Sequence, residues 1–582
     1  MGLTSSLFIG RSALSAAQIA MQVTGNNISN AGTEGYHRQR VEMDPLRGGR
    51  VGQNFIGRGV EAASVRRAID TSIQARMRSS MSQEQTAFIE ASVLDSIESL
   101  TNELSDRDLS SAMGRFFNAW SELANNPTSG ITQAAVIEEG AAAASYIRGV
   151  RSDLLEQRTQ IENDLASSVN RTNTLLDQIA QLNRAVVNGE QGVGEDGNLR
   201  DQRDQLIDEL SGLLDVQVIE QESGATDILV DSMPVVLGAS SRGLELDVRT
   251  VTDPATNERE LEVRVMSVED QEEVRVDQGR IGALLEQRES AVQRTIDDLD
   301  SLAGQLIFQV NKLHSSGRPA NGMTSFTSER SFSPTEQTLA FNDPDNVTMN
   351  GLPFSVENGS FKVTVVDENG DEFSQTIMID LDGIRASDGT LGVDEDTTLA
   401  DVAGALNGMA NLNASITANG ELQVTTDAGY EVFFSEDTSG LLATLGVNTY
   451  FTGVDASDIA IRADLESDRL GLVTGLGSGD NSLALAVAGL RETPLAELGG
   501  VSLTDFWLKS VETTAVEASS ARTRLASLEA VRQNLQAQER AVGGVSMDEE
   551  SMNLILYQQQ YNGAARFISV VDEMTQILMS LV

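Results

Sequence analysis

Residues 554–582 read LILYQQQYNGAARFISVVDEMTQILMSLV, with Leu554, Tyr557, Tyr561, Ala564, Ile568, Val571, Thr575, Leu578 and Val582 at spacings that alternate between three and four. That alternation is the seam of a coiled coil, where one stripe of a helix meets a partner helix. A second stripe runs one residue over, through Phe567, Val570, Met574, Ile577 and Leu581. Two adjacent stripes make an apolar face too wide for one partner, so this helix needs several neighbours.

The start of the chain has the same pattern. Leu3, Leu7, Gly10, Leu14, Ala17, Met21, Thr24 and Ile28 follow a 4-3-4-3 spacing. An ordinary amphipathic helix in a globular core would read the same way at one end. Sustained heptads at both ends, where chains normally fray, point to helices with a use in assembly. The candidate subunit-interface residues are therefore Leu3, Leu7, Leu14, Met21 and Ile28, with Leu554, Tyr557, Tyr561, Ile568, Val571, Leu578 and Val582.

Proline punctuates the sequence between the ends. None lies between 128 and 233 or after 494, and four of the nine fall within 319–353. Proline breaks helices, so the proline-free tracts are where long helices run. Apolar positions from Ile147 to Val186 keep one helical face, and 150–188 alone would make a rod of roughly 58 Å. Further helices are predicted over 281–313 and 507–542, the latter ended by Gly543-Gly544. Alternating apolar and polar residues predict strands within 214–266, with turns at Ser223-Gly224 and Asp253-Pro254. Residues 331–456 combine strand patterns with one short helix near 399–406 and carry 21 acidic residues against two basic ones.

The fold expected is mainly α with β-rich inserts (α+β). Residues 1–80 form an N-terminal coiled-coil helix and turn, pairing with a C-terminal coiled-coil helix at 543–582. A long-helix domain spans 81–330, with its β-rich segment at 214–266, and is completed by 457–542. An acidic α+β insert at 331–456 points outward. Gly475 to Gly479 reads as a flexible connector.

Composition narrows function. The 582 residues include no cysteine and two histidines, His37 and His314, and the formal net charge is −46. Thiol catalysis, thiolate zinc sites and disulfides are excluded, and imidazole metal clusters nearly so. So acidic a chain repels nucleic acid and anionic membrane. Asp367 to Glu372 and Asp380-Leu381-Asp382-Gly383 lack the ligand spacing of a calcium loop and read as solvated turns. No catalytic, cofactor-binding or metal-ligating residues are assigned, and the protein is expected to be no enzyme. His314, at a helix end, suits the helix dipole as a partial charge. No long apolar run forms a cleavable signal within 1–28, so export that keeps the N-terminus is expected.

After the first heptad comes Asn26-Asn27-Ile28-Ser29-Asn30, then Thr33 and Gly35-Tyr36-His37-Arg38: a helix end followed by a sharp turn into an extended segment. Asn26, Asn27, Asn30, Gly35, Tyr36 and Arg38 are the candidate turn residues, with Gly35 expected at positive φ. This stretch resembles the N-terminal signature of the bacterial flagellar axial proteins, the family of rod, hook and hook-associated proteins. Ser546-Met547-Asp548-Glu549-Glu550 through Tyr557–Tyr561 and Ala564-Ala565 resembles their C-terminal signature. LRDQRDQLIDEL at 199–210 and GRIGALLEQR at 279–288, running on to Leu306 and Val310–His314, resemble the hook-associated members.

The resemblance implies a secreted structural protein of the extracellular flagellum, at the hook–filament junction. The partners it implies are copies of itself in a ring or short helical layer, the hook protein, the second hook-associated junction protein, and a cytoplasmic export chaperone at the C-terminal helix. Alternatives are another axial protein, such as hook protein or flagellin, or a secreted coiled-coil adhesin.

Overall fold

The structure is a computed structural model that describes residues 2–51, 54–101, 108–191, 194–252, 259–385, 387 and 389–580. The first heptad forms α1 (Gly2–Ser29). Its end is tied off by Asn30, whose Nδ2 donates to the Asn26 carbonyl and to Asn26 Oδ1, each at 3.0 Å. The chain returns as β1 (Gln39–Pro45), β2 (Gly49–Val51), β3 (Asn54–Ile56) and β4 (Val60–Arg67). β1 pairs antiparallel with β4 and rests on α1, and β2 pairs with β3 as a separate hairpin.

Helices α2 (Thr71–Thr101), α3 (Leu109–Asn125), α4 (Gly130–Gly189) and α5 (Gly197–Leu213) follow. α2 and α3 lie where no individual helix is expected from the sequence, within the N-terminal part and the long-helix domain. Asp108 caps α3 by accepting from Ser111 N, and Asp196 caps α5 by accepting from Asn198 N and Leu199 N. At 60 residues, α4 is about 90 Å long. Strands β5 (Val216–Glu220), β6 (Thr226–Val230), β7 (Met233–Leu237) and β8 (Ser240–Ser241) form one antiparallel sheet, and β9 (Leu244–Thr252) pairs with β10 (Arg259–Ser267). The turn expected at Asp253-Pro254 lies outside the described residues. α6 (Gly279–Gln287) passes through a π turn at Arg288–Val292 into α7 (Gln293–Ser315).

The acidic segment comprises β11 (Ser325–Thr327), α8 (Val347–Asn350), β12 (Gly359–Asp367), β13 (Glu372–Ile379), α9 (Leu399–Asn407), β14 (Leu412–Ile416), β15 (Leu422–Thr426), β16 (Tyr430–Ser435) and α10 (Leu441–Leu445). Two three-stranded sheets, β11-β15-β14 and β13-β12-β16, enclose a core that includes Phe332, Phe361, Val402, Val424 and Phe434. Because β11 pairs with β15, this module starts before residue 331, the boundary expected from the proline cluster. It also ends earlier than 456. Tyr450 and Phe451 are fully buried and pack on Phe116, and Tyr450 also packs on Trp120.

The remainder is β17 (Phe451–Thr452), β18 (Ala460–Ile461), α11 (Ala463–Ser467), α12 (Ser482–Gly489), α13 (Leu503–Gly543) and α14 (Met547–Ser580). Gly475 to Gly479 is a hydrogen-bonded turn rather than a free connector. Asp480 Oδ2 accepts from Leu476 N at 2.8 Å, and the Gly475 carbonyl accepts from Arg318 N at 3.1 Å.

The chain divides into two compact units, 1–93 with 160–288 and 518–582, and 94–159 with 289–517. The dividing points fall inside α2, α4, the π turn at Arg288–Val292 and α13, not at the boundaries expected at 80, 330, 456 and 542. Long helices leave no composition break where one unit stops and the next begins. No helix among the described residues is long and apolar enough to cross a membrane.

Candidate assembly surface and its clasp

In the first unit α1 and α14 pair antiparallel. Gly10 stands against Ile568, and Asn27 against Glu550. The helices close tightly at Gly10, where a Cβ would lie 2.6 Å from Ile568 Cγ1. Ala16, Ala17 and Ala20 on α1 and Ala564 and Val571 on α14 are buried. Leu3, Leu7, Leu14, Met21, Ile28, Tyr557, Tyr561 and Ile568 are half-buried, while Leu554 and Leu578 are exposed. Val582 and Leu581 lie outside the described residues.

The middle of the first seam of α14, from Tyr557 to Thr575, is thus occupied by α1 of the same chain. The second stripe is left uncovered: Phe567 is 42% exposed, Val570 and Met574 53%, and Ile577 60%.

The turn after α1 clasps the pair. Asn27 is buried and uses its whole amide. Its Oδ1 accepts from Tyr36 Oη at 2.8 Å and Gln39 N at 2.9 Å. Its Nδ2 donates to the Gln39 carbonyl at 2.9 Å and to Glu550 Oε2 at 3.0 Å. Asn26 Nδ2 adds a bond to Tyr36 Oη at 3.2 Å. Arg38 reaches Glu549 at 2.8 Å and Glu550 at 2.6 Å, the second an ion pair off the line of a hydrogen bond. Burial, with Asp201 and Glu550 nearby, pushes the Tyr36 hydroxyl up to about 12, so it stays a neutral donor.

Behind the clasp lies a buried ionic network that the sequence reading did not assign. Asp201, Asp204 and Asp208 sit at i, i+3 and i+7 on α5, hence on one face. Asp201 accepts from His37 Nδ1 at 2.8 Å and from Arg67 at 2.7 Å. Asp204 accepts from Arg67 at 2.6 Å, and Asp208 from Arg78 at 2.7 Å. Burial alone would pull His37 down, but its hydrogen bond to Asp201 and the Glu539 carboxylate 3.9 Å from Nε2 raise it to about 9. Arg67 and Arg78 hold Asp204 below the usual carboxylate range despite its burial. The signal was present in the motif at 199–210, as aspartates at helical spacing. Their partners are up to 164 residues away, beyond any local pattern.

Gly35 has φ +72°, and a Cβ there would meet Gln205 Nε2 at 2.0 Å. His314 differs from expectation. It is buried, accepts from Val473 N through Nε2 at 3.0 Å, and lies 2.7 Å from the Asn448 carbonyl through Nδ1. Burial pushes it down to about 3, so it is a neutral strut and not a dipole charge. Asp380, Asp382 and Asp396 approach within 4.8 Å of one another. Asp396 is already bonded by Asn342 and Gly383 N, and Asp382 by Ile384 N, as turn-capping groups.

Residues 94–326 match the family model of the flagellar hook-associated protein FlgK helical domain. Residues 7–37 match that of the flagella basal body rod protein, and 543–581 that of the flagellar basal body rod FlgEFG protein C-terminal. Flagellar hook-associated protein 1 of Escherichia coli K12 is 24% identical, with 98% of each chain covered. The protein of that name from Bacillus subtilis is 26% identical, over 98% of this chain and 97% of the relative. The structure of the flagellar hook junction protein FlgK from Burkholderia pseudomallei aligns with TM-score 0.48 and 15% identity, over 81% of this chain and 100% of that one.

Helical ends that match rod-protein models at both termini define an axial protein, a structural component of the bacterial flagellum. Within that class the chain is similar, over nearly its whole length, to flagellar hook-associated protein 1 of Escherichia coli K12 and of Bacillus subtilis.

Proposed function

We propose that the chain is a structural subunit of the hook–filament junction, and that it holds its place through its terminal helices. The observation that carries this reading is the second stripe of α14, uncovered beside a first stripe that α1 already fills. Fully covering a large apolar side chain stabilises by about 1.5–3 kcal/mol, so covering four that are already half-shielded contributes roughly 3–6 kcal/mol per subunit. Neighbouring copies in a ring or short helical layer supply that cover. Ile568 and Val571, named from the heptad as interface residues, join α14 to α1 of the same chain, and the second stripe through Val570 joins subunits.

The hook protein lies on one side of this layer and the second hook-associated junction protein on the other. Before assembly, the exposed stripe needs a cytoplasmic export chaperone over α14 during passage to the flagellar export apparatus. An indefinitely polymerising hook protein or flagellin is the alternative within the class, and a layer that stops growing separates the two.

The test is negative-stain imaging of purified protein added to hook ends. Val570→Asp with Ile577→Asp should abolish the added layer while the monomer melts at the parent temperature. A variant that adds a normal layer would refute the reading.

A further inference from the structure

Arg67, Arg78 and Arg203 line one cavity of about 440 Å³ in the first unit, walled by the start of α2, by α5 and by β5. Arg67 and Arg78 are held by the aspartates of the ionic network. Arg203 is not. It is 2% exposed, and among the described residues no carboxylate comes within ion-pair distance of it. Its Nη1 donates to two neutral acceptors, Asn183 Oδ1 at 3.0 Å and the Gly224 carbonyl at 2.7 Å. Its Nε is buried and meets no acceptor among the described residues, and the same holds for Arg67 Nε. Burial pulls the Arg203 guanidinium below the usual arginine range, and Asp204 and Glu220 act on it only from a distance. A cation taken out of water is stabilised again only by a nearby anion with good geometry.

The carboxylates that line the cavity are engaged elsewhere. Asp204 accepts from Arg67 at 2.6 Å and from Arg78 at 3.4 Å. Glu220 accepts from Arg200 Nη1 at 2.5 Å. The Asp215 carboxyl is raised by partial burial, and no cation draws it back down. Water can accept from either Nε but brings no charge.

We propose that this cavity binds a small oxyanion, a carboxylate or sulfate-like group, on Arg203 and Arg67. A guanidinium presents its donors as a planar fork that matches two oxygens of such a group. Thr71 and Ser79 on the same wall add hydroxyl groups for the remaining oxygens. The volume falls within the range of small-molecule sites, roughly 300–1,000 Å³, so it admits a tricarboxylate as well as a lone sulfate. The bound anion ties α2, α5 and β5 together behind the clasp, and it does so whether or not neighbouring subunits cover α14.

The experiment is calorimetric titration of the full chain with citrate, and separately with sulfate, at constant ionic strength in chloride. Binding is read rather than melting, because sulfate stabilises folded proteins in general. Saturable binding of one anion per chain is expected for at least one of the two. Asp215→Asn removes a repelling carboxylate from the wall and should tighten it by about two- to fivefold. Ser79→Asp supplies a carboxylate from the chain itself and should weaken it by about tenfold or more. Arg203→Lys keeps the charge but loses the fork and should also weaken it by about tenfold. Because Arg203 holds Gly224 as well, the Asp215 and Ser79 variants carry the test if the lysine variant fails to fold. Saturable binding of neither anion would overturn the proposal. So would binding that Ser79→Asp leaves intact, which would place the anion elsewhere on the chain.

Discussion

The acidic module and the terminal helix α14 treat apolar side chains in opposite ways. The module closes on itself: two small sheets and α9 bury Phe332, Phe361, Phe434 and Leu406 in one continuous core. α14 keeps a comparable set of large residues, Met552, Ile555, Phe567, Val570, Met574 and Ile577, in solvent. Both regions have regular, capped secondary structure, so the contrast is not one of order against disorder. It lies in whether the chain supplies its own second layer. A module that does is a folding unit, whereas a helix that does not is an address for another chain.

The largest effect should come from where the module is cut. Removing 331–456 takes away Tyr450 and Phe451, which Asn311 holds through three hydrogen bonds of 2.8–2.9 Å and which pack among Phe116 and Trp120. That deletion should destroy the cooperative melt of the second unit. Removing 325–447 and bridging the ends with a short linker spares those contacts and should keep the melt, read by circular dichroism. Equal behaviour of the two deletions would break the comparison.

A smaller cut tests the same contrast. Phe434→Ala opens a cavity in the module's core and should cost about 3–5 kcal/mol in a urea titration. Val570→Asp on α14 changes a solvent-facing side chain and should stay within about 0.5 kcal/mol. If the two variants melt alike, the α14 stripe is packed on its own chain after all.

How much of this was legible in the sequence depends on how far apart the contacting residues lie. The helices α1, α4, α13 and α14 were readable because their apolar positions repeat every three or four residues. α2 was not: Gln74, Arg78, Ser80 and Ser82 are buried along it, and polar or small residues on the inward face erase the stripe. The turn was recognisable as a turn from Asn26 to Gly35, but Asn27 meeting Glu550 spans 523 positions. The start of the module was misplaced because β11 is three residues long, too short for an alternation to register.

The clasp gives a pH test of how firmly the terminal helices are held to the first unit. His37 rises from its ordinary 6.5 to about 9 in the folded chain, burial opposing and the bond to Asp201 with the nearby Glu539 carboxylate prevailing. A raised histidine contributes stability that is fully present below the unfolded pKa and is lost as pH climbs through the folded one. The contribution should therefore be complete below about pH 6.5 and gone above about pH 9, worth on the order of 2–3 kcal/mol. Urea titrations at several pH values should show this slope in the parent, and His37→Gln should flatten it. A parent with no slope between neutral pH and pH 10 would show that the imidazolium is not holding the arm.

The finest distinction concerns Gly35, where two penalties of different origin coincide. Its φ of +72° strains any side chain, and a Cβ would also run into Gln205, whose Nε2 donates to the Glu34 carbonyl at 2.5 Å. Gln205 is flexible and can swing away, so the steric part reduces to the loss of one partly exposed hydrogen bond. The backbone part cannot be relieved without re-routing the turn. Gly35→Ala should cost about 1–3 kcal/mol in all, most of it conformational. Adding Gln205→Ala separates the two. The glycine substitution should then cost less by about 0.5–1.5 kcal/mol, the worth of the hydrogen bond it no longer disrupts, and keep the rest. If Gly35→Ala became neutral in the Gln205→Ala background, side-chain crowding rather than backbone conformation would be what requires glycine at this turn.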